Sequence, residues 1–226
     1  MWSKSNGIRS AAAPAKRNLI YHIYPVKNSI WRWNVDQISK HLNIFNGKKI
    51  IGIAIDDKTD DLRSVCELFD TSCEFIINKN NPYLGELNTF LPALQIVSSP
   101  SDIIFYAHAK GVTKGTKPVM AWAKAMYDIN LASVSRIDKL IMNGYSAVGC
   151  FRIGEELKNW YFAGSFFWFV RGAVKGTIIE RHYYGVEQFL RLHIQRDRSY
   201  DLFPIAKSLY DEEVLPSEYE HLLKTR

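Results

Sequence analysis

The sequence predicts a single α/β domain in which a mostly parallel central sheet carries helices on both faces. Three observations lead there. The first half alternates short apolar runs with stretches of helical period. The runs themselves, LIYHIYP, KIIGIAI and IIFYAHA, have the continuous apolar, β-branched and aromatic character of strands buried on both faces. Hydrophobic residues make up 47% of the 226 residues, enough for a full core.

The elements follow in chain order. Met1 to Arg17 reads as a flexible tail, leaving 18–226 as the domain. Leu19 to Pro25 is the first strand. Trp31 to Phe45 reads as a helix, with Trp31, Val35, Ile38, Leu42 and Phe45 spaced by three and four, and Asn46-Gly47 closes it. Lys49 to Ile55 is a buried second strand. Thr59 or Asp60 can cap the helix that carries Leu62, Val65, Cys66 and Phe69. Cys73 to Ile77 is a short third strand, followed by the turn NKNNP. Leu84 to Val97 is helical, bent or shortened by Pro92. Ile103 begins the fourth strand. Pro118 suits the first turn of a long helix that keeps its period to about Asn143-Gly144. Tyr145 to Phe151 and Tyr161 to Val170 read as strands, and Gly185 to Ile194 as a helix. Ser217 and Glu220 match a capping box for a last short helix.

Composition narrows the function classes. The net charge of +6 and pI near 9.1 favour an anionic partner, but acidic residues are mixed throughout. That falls short of a dedicated nucleic-acid binder. Cys66, Cys73 and Cys150 show neither Cys-x-x-Cys spacing nor a disulfide framework, and read as inert thiols in a reducing compartment, hence a cytoplasmic location. No apolar run approaches the roughly 18 residues of a membrane span. The residues around Gly111 and Gly115 have the wrong spacing for a P-loop. No Gly-x-Gly-x-x-Gly follows the first strand, and neither His-Glu-x-x-His nor Gly-x-Ser-x-Gly occurs.

The chemistry-bearing residues cluster at predicted strand ends. Strand alternation puts Tyr106, His108 and Lys110 on one face where the fourth strand runs out into Gly111 and a small basic loop with Lys114 and Lys117. Ligands of open α/β sheets bind outside the carboxyl ends of strands. A histidine and a lysine there suit a phosphate or diphosphate. Asp56 and Asp57, at the end of the second strand, can accept hydrogen bonds from a base or ribose; Asp60 and Asp61 read as helix caps. Gly164 and Ser165 interrupt an aromatic run and could let a ligand approach the backbone. Trp160 could stack on a sugar. Glu187, at the start of a helix, could serve as a general base.

FYAHAKG, Trp122 and Met126 in AWAKAM, YFAGSFFWF and YGVEQFL together resemble a family of small GT-A-like glycosyltransferases of bacteria and viruses, akin to rhamnan-type polysaccharide-synthesis proteins. The resemblance spans Asn18 to about Leu190. It implies a GT-A-like, Rossmann-like fold and a nucleotide-sugar donor. IDDKTDD loosely resembles the Asp-Asp-x-Ser-Thr-Asp turn of such enzymes, one residue short. On this resemblance Asp56, Asp57 and the Tyr24–Asn28 turn, with Gly164 and Ser165, face the donor. His108 and Lys110 hold its diphosphate, Glu187 is the base, and Trp122 or Trp160 stacks on the acceptor. The family's metal-binding Asp-x-Asp is replaced by His108-x-Lys110, so a Mn²⁺ or Mg²⁺ requirement is expected to be weak or absent. A glycan is the acceptor the resemblance implies. DNA bearing a hydroxylated base is the alternative, and a non-catalytic nucleotide- or glycan-binding module is the rival from another class.

Overall fold

A computed structural model describes residues 15–175 and 178–224. Its centre is a seven-stranded, mostly parallel sheet flanked by helices, as the alternating pattern predicts. The strands are β1 (Arg17–Ile23), β2 (Lys49–Ile55), β3 (Cys73–Lys79), β4 (Ile103–His108), β5 (Ala147–Gly149), β8 (Phe167–Val170) and β9 (Ser199–Asp201), in the order β3-β2-β1-β4-β8-β5-β9. All neighbours run parallel except β8, which is antiparallel to both β4 and β5. The remaining two, β6 (Arg152–Glu156) and β7 (Asn159–Phe162), form a separate hairpin.

Two apolar layers cover the sheet. Leu19, Tyr21 and Ile23 of β1 and Phe105 and Ala107 of β4 face one layer, with α1 (Trp31–Ser39), α4 (Lys117–Leu131), α5 (Val134–Met142) and α7 (Pro216–Leu223). Ile20, Ile104 and Tyr106 face the other, with α3 (Leu87–Ile96) and α6 (Gly185–Phe189). The short α2 (Leu62–Cys66) adds Val65 to the first layer. Strand alternation therefore sorts the side chains as the sequence pattern requires.

Several boundaries differ from expectation. β1 begins at Arg17, which pairs with Ile103, so the strand starts inside the segment expected as tail; residues 1–14 lie outside the described residues. The first helix stops at Ser39, and Leu42–Ile44 makes a separate 3₁₀ turn. Asp61 caps α2, accepting a hydrogen bond from the Ser64 N–H at 3.1 Å. Asp60 instead accepts the Trp31 indole N–H at 2.9 Å. α3 runs through Pro92. The proline cannot donate to the Asn88 carbonyl, and the Asn78 amide of β3 takes that acceptor at 2.6 Å.

The long helix after Pro118 is two, broken at Ala132, with Ser133 capping the second through the Arg136 N–H. Tyr145 to Phe151 contributes only the three residues of β5, and Gly185 to Ile194 continues past Phe189 as a 3₁₀ turn. The aromatic run Tyr161 to Val170 splits between β7 and β8 because Gly164 (φ 84°) and Ser165 (φ 59°) are both left-handed and turn the chain. The last helix starts at Pro216, and its capping carboxylate is Glu218, which accepts the Leu215 N–H at 2.7 Å.

Candidate active site

The connection from β1 goes outward to β2 and β3, and the next strand, β4, returns to the opposite side of β1. That reversal opens a crevice outside the carboxyl ends of β1 and β4, the position where open α/β sheets bind ligands. Its residues come from the ends of β1, β2 and β4, the turn before β8 and the first turns of α3 and α6.

His108 is the centre of a hydrogen-bonded chain. Its Nε2–H donates to the Gly164 carbonyl at 3.0 Å, and its Nδ1 lies 3.1 Å from Glu86 Oε1. Glu86 precedes α3, and its other oxygen accepts the Tyr106 hydroxyl at 2.7 Å. On the far side, the Gly164 N–H donates to Glu187 Oε1 at 2.7 Å. Glu86, His108, Gly164 and Glu187 are thus joined in sequence across the crevice. Burial, with the Lys110 charge second, pushes the His108 pKa down to about 3. Burial pushes Glu86 up against the opposing pull of His22. His108 is thereby held neutral, and the upward direction at Glu86 favours a carboxyl proton facing the Nδ1 lone pair.

Glu187 also has a raised pKa, caused first by burial and opposed by the Gly164 N–H and Lys110. A carboxylate shifted towards neutrality suits a general base. His22 completes the polar floor. It is buried, its Nδ1 lies 2.7 Å from the Thr89 hydroxyl of α3, and burial lowers its pKa to about 4.

Lys110 lies two residues past the end of β4, so alternation no longer governs it. Its ammonium departs from the Tyr106–His108 face and sits 3.9 Å from the centroid of the Trp122 ring on α4 and 6.0 Å from that of Tyr210. Burial depresses its pKa, while the charges of Glu187 and Glu86 oppose this. Asn34 of α1, fully buried, fixes the Lys110 backbone: it accepts the Lys110 N–H at 3.1 Å and donates to the Lys110 carbonyl at 2.9 Å.

One wall is built from the loops after β1 and β2. The Lys27 N–H donates to the Lys58 carbonyl, and Val26 and Thr59 form a β-bridge. Within it Asp56 accepts the Tyr24 hydroxyl at 2.6 Å, the Asn80 amide at 2.9 Å and the Lys58 N–H at 2.9 Å. Burial would raise the Asp56 pKa, but these three donors outweigh it and leave the carboxylate below its usual range. Asp57 is exposed, and Asn28 is exposed with a left-handed backbone at φ 59°.

The aromatic expectations change. Trp160 is fully buried, and its N–H donates to the Ile194 carbonyl at 3.1 Å, so neither ring face can stack on a sugar. Trp122 is 2% exposed and lies beneath the Lys110 ammonium; it supports the cation instead of presenting a free platform. The space beside Gly164 is also filled. A Cβ there would come within 2.7 Å of Met126 Sδ and 2.8 Å of the Trp122 ring. This glycine serves a left-handed turn and close packing, while its peptide groups bond His108 and Glu187. Ser165, next to it, is 4% exposed.

A GT-A-type metal at the His108-x-Lys110 position does not fit these residues. Both imidazole nitrogens of His108 are engaged, and Lys110 brings a positive charge to the place a cation would take. Among the described residues no group of three or more His, Cys, Asp or Glu is arranged to hold a metal ion, and no helix is long and apolar enough to cross a membrane.

Sequence reasoning missed Glu86, Asn34 and His22. Each lies on a different element from the motif residues. Only the proximity of Glu86 to α3, whose first turn faces the crevice, could have drawn attention to it.

No protein-family model matches the chain, and no curated protein matches it in sequence. Among solved structures it is similar to glucosyl-3-phosphoglycerate synthase of Mycobacterium tuberculosis, at 12% identity over 92% of this chain and 75% of that one, with a TM-score of 0.49. The same enzyme in complex with Mn²⁺, UDP and phosphoglyceric acid gives 12% identity over 93% and 75%, with a TM-score of 0.48. A 4-diphosphocytidyl-2C-methyl-D-erythritol synthase from Anaerococcus prevotii gives 11% identity over 92% and 95%, with a TM-score of 0.43. These are likenesses of chain path, and the residue geometry above stands independently of them.

Proposed function

We propose that this protein is a glycosyltransferase that moves a sugar from a nucleotide-sugar donor to a hydroxyl of a glycan acceptor. The observation that carries the reading is the meeting of a cation, Lys110, and a carboxylate of raised pKa, Glu187, at the β1/β4 crevice, where each feels the other's charge and Glu187 is held by the Gly164 N–H. The nucleotide lies along the wall of Tyr24, Asn28, Asp56, Asp57 and Asn80, whose carboxylates and amide match base and ribose donors. Its diphosphate lies against Lys110.

The chemistry follows from these placements. Glu187 takes the proton of the acceptor hydroxyl as that oxygen attacks the anomeric carbon. The bond from that carbon to the diphosphate oxygen breaks, and the electron pair leaves with the nucleoside diphosphate. Lys110 stabilises the charge that develops on the leaving group, a preorganised cation in a poorly solvated site. His108 acts by position. It carries no net charge, fixes the Gly164 turn, and through it aims Glu187. In this scheme Lys110 takes the place a divalent metal has in other enzymes of the resembled fold.

The test is release of nucleoside diphosphate from a panel of nucleotide-sugars, with and without EDTA or Mn²⁺. Turnover of one donor that persists in EDTA supports the scheme. Turnover that EDTA abolishes and Mn²⁺ restores overturns the role given to Lys110. Thermal stabilisation by a nucleotide-sugar with no turnover on any acceptor identifies a binding module instead.

A further inference from the structure

We infer that the mouth of the crevice is a binding surface for a neutral saccharide chain, made by Tyr183, Tyr184 and Tyr210 with Tyr161 behind them. This inference rests on the glycosyltransferase reading and names its acceptor class.

The first observation is exposure. Among the described residues the large exposed aromatics are Tyr83, Tyr183, Tyr184 and Tyr210, at 69, 58, 56 and 61%. Three of the four gather at the site. The rings of Tyr183 and Tyr184 meet edge to face, with centroids 5.2 Å apart. Tyr184 immediately precedes α6, three residues before Glu187. Tyr183 leans on Gly85, next to Glu86. Tyr210 arrives from the other side and packs edge-on against Trp122 at 5.3 Å, beside the Lys110 ammonium. Electrostatics agree with this placement: Tyr183, Tyr210 and the half-buried Tyr161 all feel the Glu187 charge.

A single exposed tyrosine needs no explanation, but a cluster of them beside a candidate base marks a contact surface. The ring offers a flat apolar face to the C–H side of a sugar, while the hydroxyl can reach its oxygens. With two side-chain torsions, tyrosine also loses little entropy on being fixed.

Charge selects the class of ligand. Tyr210 is followed by Asp211, Glu212 and Glu213, and the Glu187 carboxylate lies behind the rings. Lys110, the first lysine after β4, lies 6.0 Å from the Tyr210 ring centroid and is assigned to the donor's diphosphate, while Gly111 and Gly115 back onto Ile30. A polyanion such as DNA needs lysines and arginines along its track. Rings flanked by carboxylates suit an uncharged chain.

Binding by the whole protein would be measured calorimetrically against neutral oligosaccharides built from glucose, galactose, mannose and rhamnose. A DNA duplex containing 5-hydroxymethylcytosine and a set of nucleoside diphosphates complete the probes. The expected result is that at least one oligosaccharide binds, and that Y183A/Y184A weakens it tenfold or more. Y210A has a similar effect, and Y210F stays within about threefold. Because these side chains are exposed, thermal unfolding of the variants should match the parent. The inference is overturned if no oligosaccharide binds, if the alanine variants bind as well as the parent, or if the duplex binds with steep salt dependence in place of the saccharides. Loss of saccharide binding in Y183A/Y184A combined with no affinity for any nucleoside diphosphate keeps the surface and rejects the transferase reading. Nucleotide-sugar turnover with tyrosine-independent saccharide binding does the reverse.

Discussion

His108 Nδ1 lies 3.1 Å from Glu86 Oε1, a contact that needs a proton on one of the two atoms. Nε2–H is already donated to the Gly164 carbonyl, so the neutral ring has only a lone pair to offer at Nδ1. A protonated Glu86 fills it, the state its raised pKa favours, while its second oxygen accepts from Tyr106. A glutamine can copy that pattern, with its amide donating to Nδ1. Glu86→Gln should therefore cost under about 1 kcal/mol. Glu86→Ala strands two buried polar groups at about 1–3 kcal/mol each. Urea unfolding of the two variants checks the difference, and a glutamine variant as damaged as the alanine would place the proton on His108.

Stability should fall as the pH drops below about 6.5. His22 and His108 titrate near 6.5 when unfolded, and burial lowers them to about 4 and about 3 in the folded chain. Below 6.5 the unfolded chain takes up protons that the folded chain refuses. Each histidine contributes a slope of up to about 1.4 kcal/mol per pH unit, with its stabilisation fully present above that value. Glu86, whose pKa is raised, works in the opposite sense above 4.5 and offsets part of the loss. Urea titrations between about pH 7.5 and 4.5 measure the slope, which His22→Asn should flatten.

Lys110→Met should leave the fold in place, because the methionine can still lie on Trp122. Nucleotide release should fall by about 100-fold or more, the scale expected when a positioned charge at a leaving group is lost. A steady-state assay with the best donor from the panel reads this directly. Equal rates in the variant and the parent would remove Lys110 from the reaction.

Glu187→Gln separates chemistry from structure. Its side-chain oxygen can still accept the Gly164 N–H, so the unfolding temperature should stay within about 2 °C. Loss of a general base costs about 100-fold to 10,000-fold in kcat. A fall in kcat with no change in donor affinity is the expected signature.

Gly164→Ala should be the most damaging small substitution at the site. It places a side chain at φ 84° and drives a methyl group into Met126 and Trp122. Left-handed strain of about 1–3 kcal/mol and overpacking of similar size combine, for about 2–6 kcal/mol in all. Chemical denaturation measures the loss, and activity should fall with it because Trp122 supports Lys110.

The sequence by itself determined the parallel half of the sheet, β1 to β4. β2 matches its apolar run from Lys49 to Ile55, and Tyr106 and His108 share a face, because burial on both faces and a two-residue period are local properties of the chain. It also placed His108, Lys110 and Glu187 at element ends. Only the tertiary structure decided what those residues do to one another. Nothing near position 108 in the chain announces Glu86, which is brought there by the packing of α3 across β3, β2 and β1. The tryptophans show the same limit. A large ring with a polar tip reads alike in a core and at a surface, and burial was settled by which layer closed over it. Trp160 went inside, Trp122 went beneath a lysine, and of the exposed tyrosines at the mouth only Tyr184, which opens YGVEQFL, lay in a motif.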